Sequence, residues 1–252
     1  MEKTKGSLGK TVCLIILFTI LAILILIPVY ALFIASFKPG ELLLQYGLNL
    51  APEFEKMGLS NYDLLFHGEH DYWIWFVNSI ILTVVTVILT LIISAFVAYG
   101  FSAYDFKGRN FLFVMVLAIM SVPFEVVMLP LYKQMSDWHL MDSYVAIVLP
   151  FLAHASTIFF FRQYLLGLPK SLIEAGRIDG ATEYGIFFKL IIPIMKPAFA
   201  AMAILNGMNA WNNYMWPLLV IRSSEKYTLT LGLNTLINPY GDNYSLLIVG
   251  AF

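Results

Sequence analysis

The sequence predicts an all-α integral membrane protein, and three observations carry that prediction. The chain is 60% hydrophobic and 12% charged, where a soluble domain holds roughly twice that share of charge. Its mean hydropathy is +0.80 over 252 residues, more apolar surface than a soluble fold of that length can hide. Several stretches reach the roughly 18 to 20 apolar residues that a helix needs to cross a hydrocarbon core about 30 Å thick. These stretches are solid Ile, Leu, Val and Phe, without the alternation in segments of about ten residues that marks a membrane β-barrel. A net charge of −1 implies no bulk attraction to nucleic acid, and the single cysteine, Cys13, excludes an internal disulfide.

The first span runs from Val12 to Phe37 after Lys3, Lys5 and Lys10. It is too long for the apolar core of a signal peptide, about 7 to 15 residues, and reads as a retained helix. The second, Trp73 to Gly100, opens on Trp73, Trp75 and Phe76, aromatics of the kind that sit at headgroup depth. The third, Phe111 to Leu131, is interrupted by Pro123 and Pro130, and the fourth, Ser143 to Phe161, contains Pro150. The fifth is Ala198 to Val220. A sixth begins near Tyr244 and the chain stops at Phe252, too soon to span, so the sixth helix reads as truncated. Small residues four apart, Ser94 with Ala98 and Ala203 with Gly207, predict close helix packing. The whole, residues 1–252, reads as one transmembrane domain without a visible internal repeat.

With the N-terminus in the cytoplasm, the inner segments hold Lys3, Lys5, Lys10, Lys107, Arg109, Arg162, Lys170, Arg177, Lys189 and Lys196. The outer ones hold Lys38, Lys56, Lys133, Arg222 and Lys226. This asymmetry follows the positive-inside rule. It places inside the cell a polar insert at 168–193, the one hydrophilic break between the fourth and fifth spans.

The insert reads as two short helices joined by a tight bend. Ser171 with Glu174 fits a capping box, Gly180 fits a left-handed helix end, Thr182 fits the cap of a second helix, and Pro193 fits its close. Apolar Leu172, Ile173, Ile178, Ile186, Phe187 and Phe188 alternate with Glu174, Arg177, Asp179 and Lys189. A half-apolar, half-charged hairpin suits docking into a protein groove; lying on the lipid surface is the alternative.

Glu174-Ala175-Gly176, Gly180 four positions on, and Leu190-Ile191-Ile192-Pro193 resemble the glutamate-alanine-alanine (EAA) loop of ABC importer permeases. Gly176 replaces the second alanine, Leu190 an isoleucine and Ile192 a leucine. A mid-helix glycine costs roughly 1 kcal/mol against alanine, and here it would also let an ATPase approach closely. Asn78-Ser79, Asp105-Phe106-Lys107-Gly108-Arg109, Pro130-Leu131-Tyr132, Phe161-Arg162-Gln163 and the run Trp211 to Leu218 extend the resemblance to the maltose-type carbohydrate permeases over nearly the whole chain.

That resemblance implies a six-transmembrane-helix type I importer permease in the bacterial or archaeal cell membrane, both termini inside. It implies a second homologous permease, an ATPase homodimer and an extracytoplasmic solute-binding protein as partners. ATP and Mg would belong to the ATPase, with no cofactor in this chain. Glu174, Ala175, Gly176, Arg177, Asp179, Gly180 and Pro193 become the candidate ATPase-coupling residues, and this chain is not itself an enzyme. Closure of the ATPases would open the translocation path outward and hydrolysis would reset it inward.

Glu125, within the predicted third span, costs about 2.5 kcal/mol or more at bilayer depth, so it either lines the path or bonds a neighbouring helix. Asn206, Asn209, Asn212 and Asn213 gather on one helix face with Trp211, Tyr214 and Trp216 nearby. Such groups suit sugar hydroxyls and C–H faces; helix-to-helix bonding is the alternative. Tyr227, Asn234, Asn238 and Tyr240 in the second outer loop are candidates for binding-protein contact. Gly9-Lys10-Thr11 is no P-loop, because Thr4 stands where its first glycine belongs. His67 and His70 with Glu69 and Asp71 read as an acidic outer loop, and no metal site is expected. The expected cargo is a sugar or oligosaccharide, with glycerol 3-phosphate as the runner-up. A stand-alone ion-coupled carrier with Glu125 and His154 as a relay is the alternative of another class.

Overall fold

A computed structural model describes residues 5–39, 53–68, 71–236 and 244–251, with no strand among them. In chain order the helices are α1 Lys5–Ser36, α2 Ser60–His67, α3 Tyr72–Ala103, α4 Arg109–Met120, α5 Phe124–Asp137 and α6 Tyr144–Val148. They continue as α7 Ala155–Leu166, α8 Ser171–Ile178, α9 Glu183–Ile186, α10 Ile192–Ile194, α11 Lys196–Trp211, α12 Met215–Val220, α13 Leu229–Thr235 and α14 Tyr244–Ala251. Among the described residues α1 and α3 are each long and apolar enough to cross a membrane, and three bent helix pairs raise the count to five at most.

The chain divides into two compact units, one of Met1–Trp73 with Gly232–Phe252 and one of Ile74–Leu231. In the first, α1 exposes Ile, Leu and Val on all sides along most of its length, as a lipid-facing helix does. Its end is closed by Asn61 of α2, whose amide donates to the Ser36 and Lys38 carbonyls at 3.1 and 2.8 Å. The last carbonyls of a helix have no partner within it, so a donor at this point caps the end. α14 packs on α1 and α2.

The second unit is built around α3. Leu91, Ala95, Ala98 and Tyr99 of α3 pack with Phe161 and Leu165 of α7, Ile186, Phe187 and Ile191 within the hairpin, and Ala198 and Met202 of α11. Ser94 and Ala98 are fully buried there, and Gly207 of α11 faces Val87 of α3 at contact distance, so both small-residue pairs lie at close approaches. A second cluster joins Leu82, Met135, Ala146, Trp216, Val220 and Leu231. The Trp216 indole N–H donates to the Ala146 carbonyl at 2.8 Å.

Proline placement accounts for most departures from the predicted spans. The third breaks at Ser121–Pro123, where α4 and α5 meet at 101°, because proline lacks an N–H and disfavours helix in the residue before it. Pro130, in contrast, stays inside α5. Pro150 lies in a 3-10 turn between α6 and α7, which bend by 42°. The predicted fifth span is divided between α11 and α12 by Asn212–Tyr214, and α11 reaches spanning length only together with Glu183–Ile194.

Within the insert, α8 and α9 form the expected pair, and Gly180 bends the chain with φ +75°, the left-handed region that favours glycine. Thr182 caps α9, its hydroxyl accepting from the Gly185 N–H at 3.1 Å. The Ser171–Glu174 capping box does not form, because Lys170 is already helical and the Leu172 N–H donates to Pro169. Nor does Pro193 close the second helix. A π-helical stretch, Phe187–Ile191, leads into α10, where Pro193 occupies the first turn, a position that needs no N–H. The chain breaks instead at Met195, turning 75° into α11.

Candidate functional site: a hairpin and an uncharged cavity

The hairpin has a buried root and an exposed tip. Ile186, Phe187 and Ile191 are almost wholly covered, whereas Ile178 is 85% and Tyr184 72% exposed. Glu174, Ala175, Asp179 and Gly180 are exposed with them. An apolar isoleucine in the open between two carboxylates is the inverse of a folded core and has the character of an interface.

Gly176 faces its own hairpin. A Cβ built there would stand 3.0 Å from Ile186 Cγ1 and 3.3 Å from its Cδ1. The glycine therefore lets α8 lie close on the end of α9, a reason within this chain for departing from the alanine of the resembled motif.

Arg177 also turns inward. Its Nε donates to Glu183 Oε1 at 2.6 Å and its Nη2 to Oε2 at 3.3 Å. The same carboxylate accepts from the Tyr104 hydroxyl at 2.7 Å and from the Tyr99 hydroxyl at 3.4 Å. Arg177, then the Tyr104 hydroxyl, draw the Glu183 carboxyl down to about 2. Burial, then the bond to that carboxylate, pushes the Tyr104 hydroxyl up. Glu183, Tyr99 and Tyr104 were absent from the sequence-predicted site, since nothing local pairs residues some eighty positions apart.

A cavity of about 160 Å³ opens among α3, the α6–α7 junction and α11. Ser79, Thr83, Thr86, Thr90, His154, Asn206, Asn209, Asn213 and Thr228 supply its polar lining, Phe151 an aromatic wall, and among the described residues no Asp, Glu, Lys or Arg lines it. Asn206 bonds Thr157 at 3.1 Å and the Met202 carbonyl at 2.8 Å, so its amide serves helix-to-helix bonding. Asn212 lies off the cavity and donates to the Met208 carbonyl. Trp216 is fully buried and offers no face to a ligand. Glu125 sits exposed in the first turn of α5, beyond the break, and does not line the cavity. His154 Nδ1 meets the Ser156 and Thr157 hydroxyls at 2.8 and 3.3 Å.

At the other end of α3, a loop is pinned around Asp142. Its Oδ1 accepts from the Arg222 and Ser223 main-chain N–H groups at 3.0 Å each, and its Oδ2 from the Ser223 hydroxyl at 2.6 Å and Lys226 at 2.9 Å. The Ser223 hydroxyl, then those N–H groups, hold its carboxyl far below the usual carboxylate range. Asn78 donates to the Glu225 and Tyr227 carbonyls. Tyr227 thus stands on a fixed loop, and Asn234 lies in α13. Asn238 and Tyr240 lie outside the described residues, as do Glu69 and His70. His67 pairs with Asp63, and among the described residues no metal-binding group forms.

A helical membrane chain that encloses an uncharged polar cavity and projects a half-buried polar hairpin has the build of a transport-system permease. Residues 90–252 match the family described as binding-protein-dependent transport system inner membrane component, and the chain belongs to that family. It is 50% identical over 95% of its length to the arabinooligosaccharides transport system permease protein AraQ of Bacillus subtilis, covering 85% of that protein. It is 35% identical to the lactose transport system permease protein LacG of Rhizobium radiobacter, over 73% of this chain and 68% of that one. A solved bacterial ABC transporter involved in the import of the acidic polysaccharide alginate contains a chain of similar fold. The TM-score is 0.81 at 26% identity, with 100% of this chain and 92% of that chain covered. The protein is thus a multi-pass inner-membrane permease component of a binding-protein-dependent importer.

Proposed function

We propose that this permease carries a neutral sugar or oligosaccharide, driven by ATP hydrolysis in a separate ATPase that seats on the 168–193 hairpin. The hairpin carries this reading: a rooted helix pair with Ile178 bared at its tip and Glu174 exposed beside it. Glu174 pairs with a basic group of the ATPase, while Ala175, Asp179 and the Gly180 bend shape the surface that enters the groove. Arg177, Gly176 and Pro193 act within the hairpin. ATP and Mg are held by the ATPase, the N-terminus and hairpin are cytoplasmic, and a second permease completes the path.

The cargo class rests on the cavity. Hydroxyls and amides match a sugar, and Phe151 suits its C–H face. Glycerol 3-phosphate needs a cation that this lining lacks. Asn209 and Asn213 are the contacting amides, and Asn206 fixes the wall. The second outer loop of the sequence, with Tyr227, Asn234, Asn238 and Tyr240, meets the solute-binding protein. The arabinooligosaccharide, lactose and alginate systems of the relatives agree with a sugar or oligosaccharide cargo.

Charge reversal Glu174→Lys tests the docking role. Loss of ATPase co-purification and of sugar uptake together is the expected result, and unchanged assembly with unchanged uptake would refute it.

A further inference from the structure

We propose that Glu183 is a positioning residue that locks the hairpin to the end of α3 through the Tyr99 and Tyr104 hydroxyls, making hairpin and α3 one moving body. This rests on the docking of an ATPase at the hairpin and adds the route by which its motion reaches the membrane.

Two kinds of bond meet on the carboxylate. Those from Arg177 stay within the insert, joining α8 to the start of α9. Those from Tyr99 and Tyr104 leave it, reaching the last turn of α3 and the first residue beyond that helix. Tyr104 is itself held, since its carbonyl accepts from Arg109 of α4 at 3.1 Å and Arg109 also pairs with Asp105. Below these bonds Phe187 stacks on Phe96 of α3 with centroids 4.5 Å apart and lies 5.1 Å from the Tyr99 ring. The aromatic contacts can slide, whereas hydrogen bonds to a charged acceptor hold direction and distance. α3 also supplies Thr83, Thr86 and Thr90 to the cavity. A pull at the hairpin therefore reaches the cavity wall along one continuous helix.

The test uses the complete transporter with Tyr99→Phe and Tyr104→Phe combined, and Tyr104→Phe alone as the milder form. Both keep the aromatic rings and the Arg177–Glu183 pair and remove only the bonds that leave the hairpin. Spin labels at Ala181 and Lys107, both exposed, report the distance between hairpin and α3 end before and after ATP addition. The unsubstituted protein should keep that distance constant. The double variant should retain its ATPase and show a shift of about 1–2 Å or more on ATP addition, the scale of helix displacement at moving interfaces. A constant distance in the double variant would overturn the link while leaving docking intact. Failure of the ATPase to co-purify with the unsubstituted chain would overturn docking, and the link with it.

Discussion

The two ends of α3 each carry a carboxylate at the centre of a hydrogen-bond cluster, and they are built differently. Asp142 fastens its loop through two main-chain N–H groups as well as the Ser223 hydroxyl and Lys226. Glu183 holds its partners only through side chains, Arg177, Tyr99 and Tyr104, and remains about 40% exposed. Asn78 and Tyr99, near these clusters, lie roughly 30 Å apart along the helix at 1.5 Å per residue. The contrast separates a fixed platform from a linkage: one end is made to stay, the other to transmit.

Breaking each end should separate stability from transport. Asp142→Ala leaves two main-chain N–H groups and a hydroxyl without their acceptor, while Lys226 keeps only the main-chain carbonyl, and should lower unfolding stability by about 2 kcal/mol. Thermal unfolding of the purified transporter measures this. Gly180→Val forces a β-branched residue into φ +75°, at a cost of about 1–2 kcal/mol, and should weaken ATPase co-purification. Gly176→Ala sets a gain of about 1 kcal/mol in helix propensity against crowding of Ile186. Its unfolding midpoint should stay near that of the parent, whereas Gly176→Leu should lower it clearly.

The smallest expected effect is that of pH. Both carboxyls have folded values below their unfolded ones, so their stabilisation is complete above about pH 4.5. For Glu183 it fades as pH falls toward about 2. Glu183→Gln should accordingly differ from the parent in unfolding midpoint at pH 7, with the difference shrinking below pH 4.5. A difference independent of pH would remove the carboxylate from the account.

Much of this was legible in the sequence because it is local. Uninterrupted apolar runs announced α1 and α3, Gly180 its left-handed bend and Thr182 its cap. The hydroxyls at Ser79, Thr83, Thr86 and Thr90 also recur at helical spacing, a readable signal for the polar stripe on α3. What escaped was set by contacts distant in sequence. Tyr99 and Tyr104 meet Glu183 only after the chain has crossed and returned. Asn206 and Trp216 carry sugar-binding chemistry by residue type, yet tertiary packing commits their polar groups to Thr157, Met202 and Ala146. Pro123 and Pro193 are both prolines in apolar runs. Pro123 stands in a break as the N-cap of α5, whereas Pro193 is taken up within the helical stretch Glu183–Ile194 just after its π turn.

Ile178→Asp tests the central claim most directly, because a side chain 85% exposed contributes little to this chain's own folding. The variant should insert and unfold as the parent does, yet lose its ATPase on co-purification at matched expression. Retention of the ATPase in parental amount would contradict docking through the hairpin.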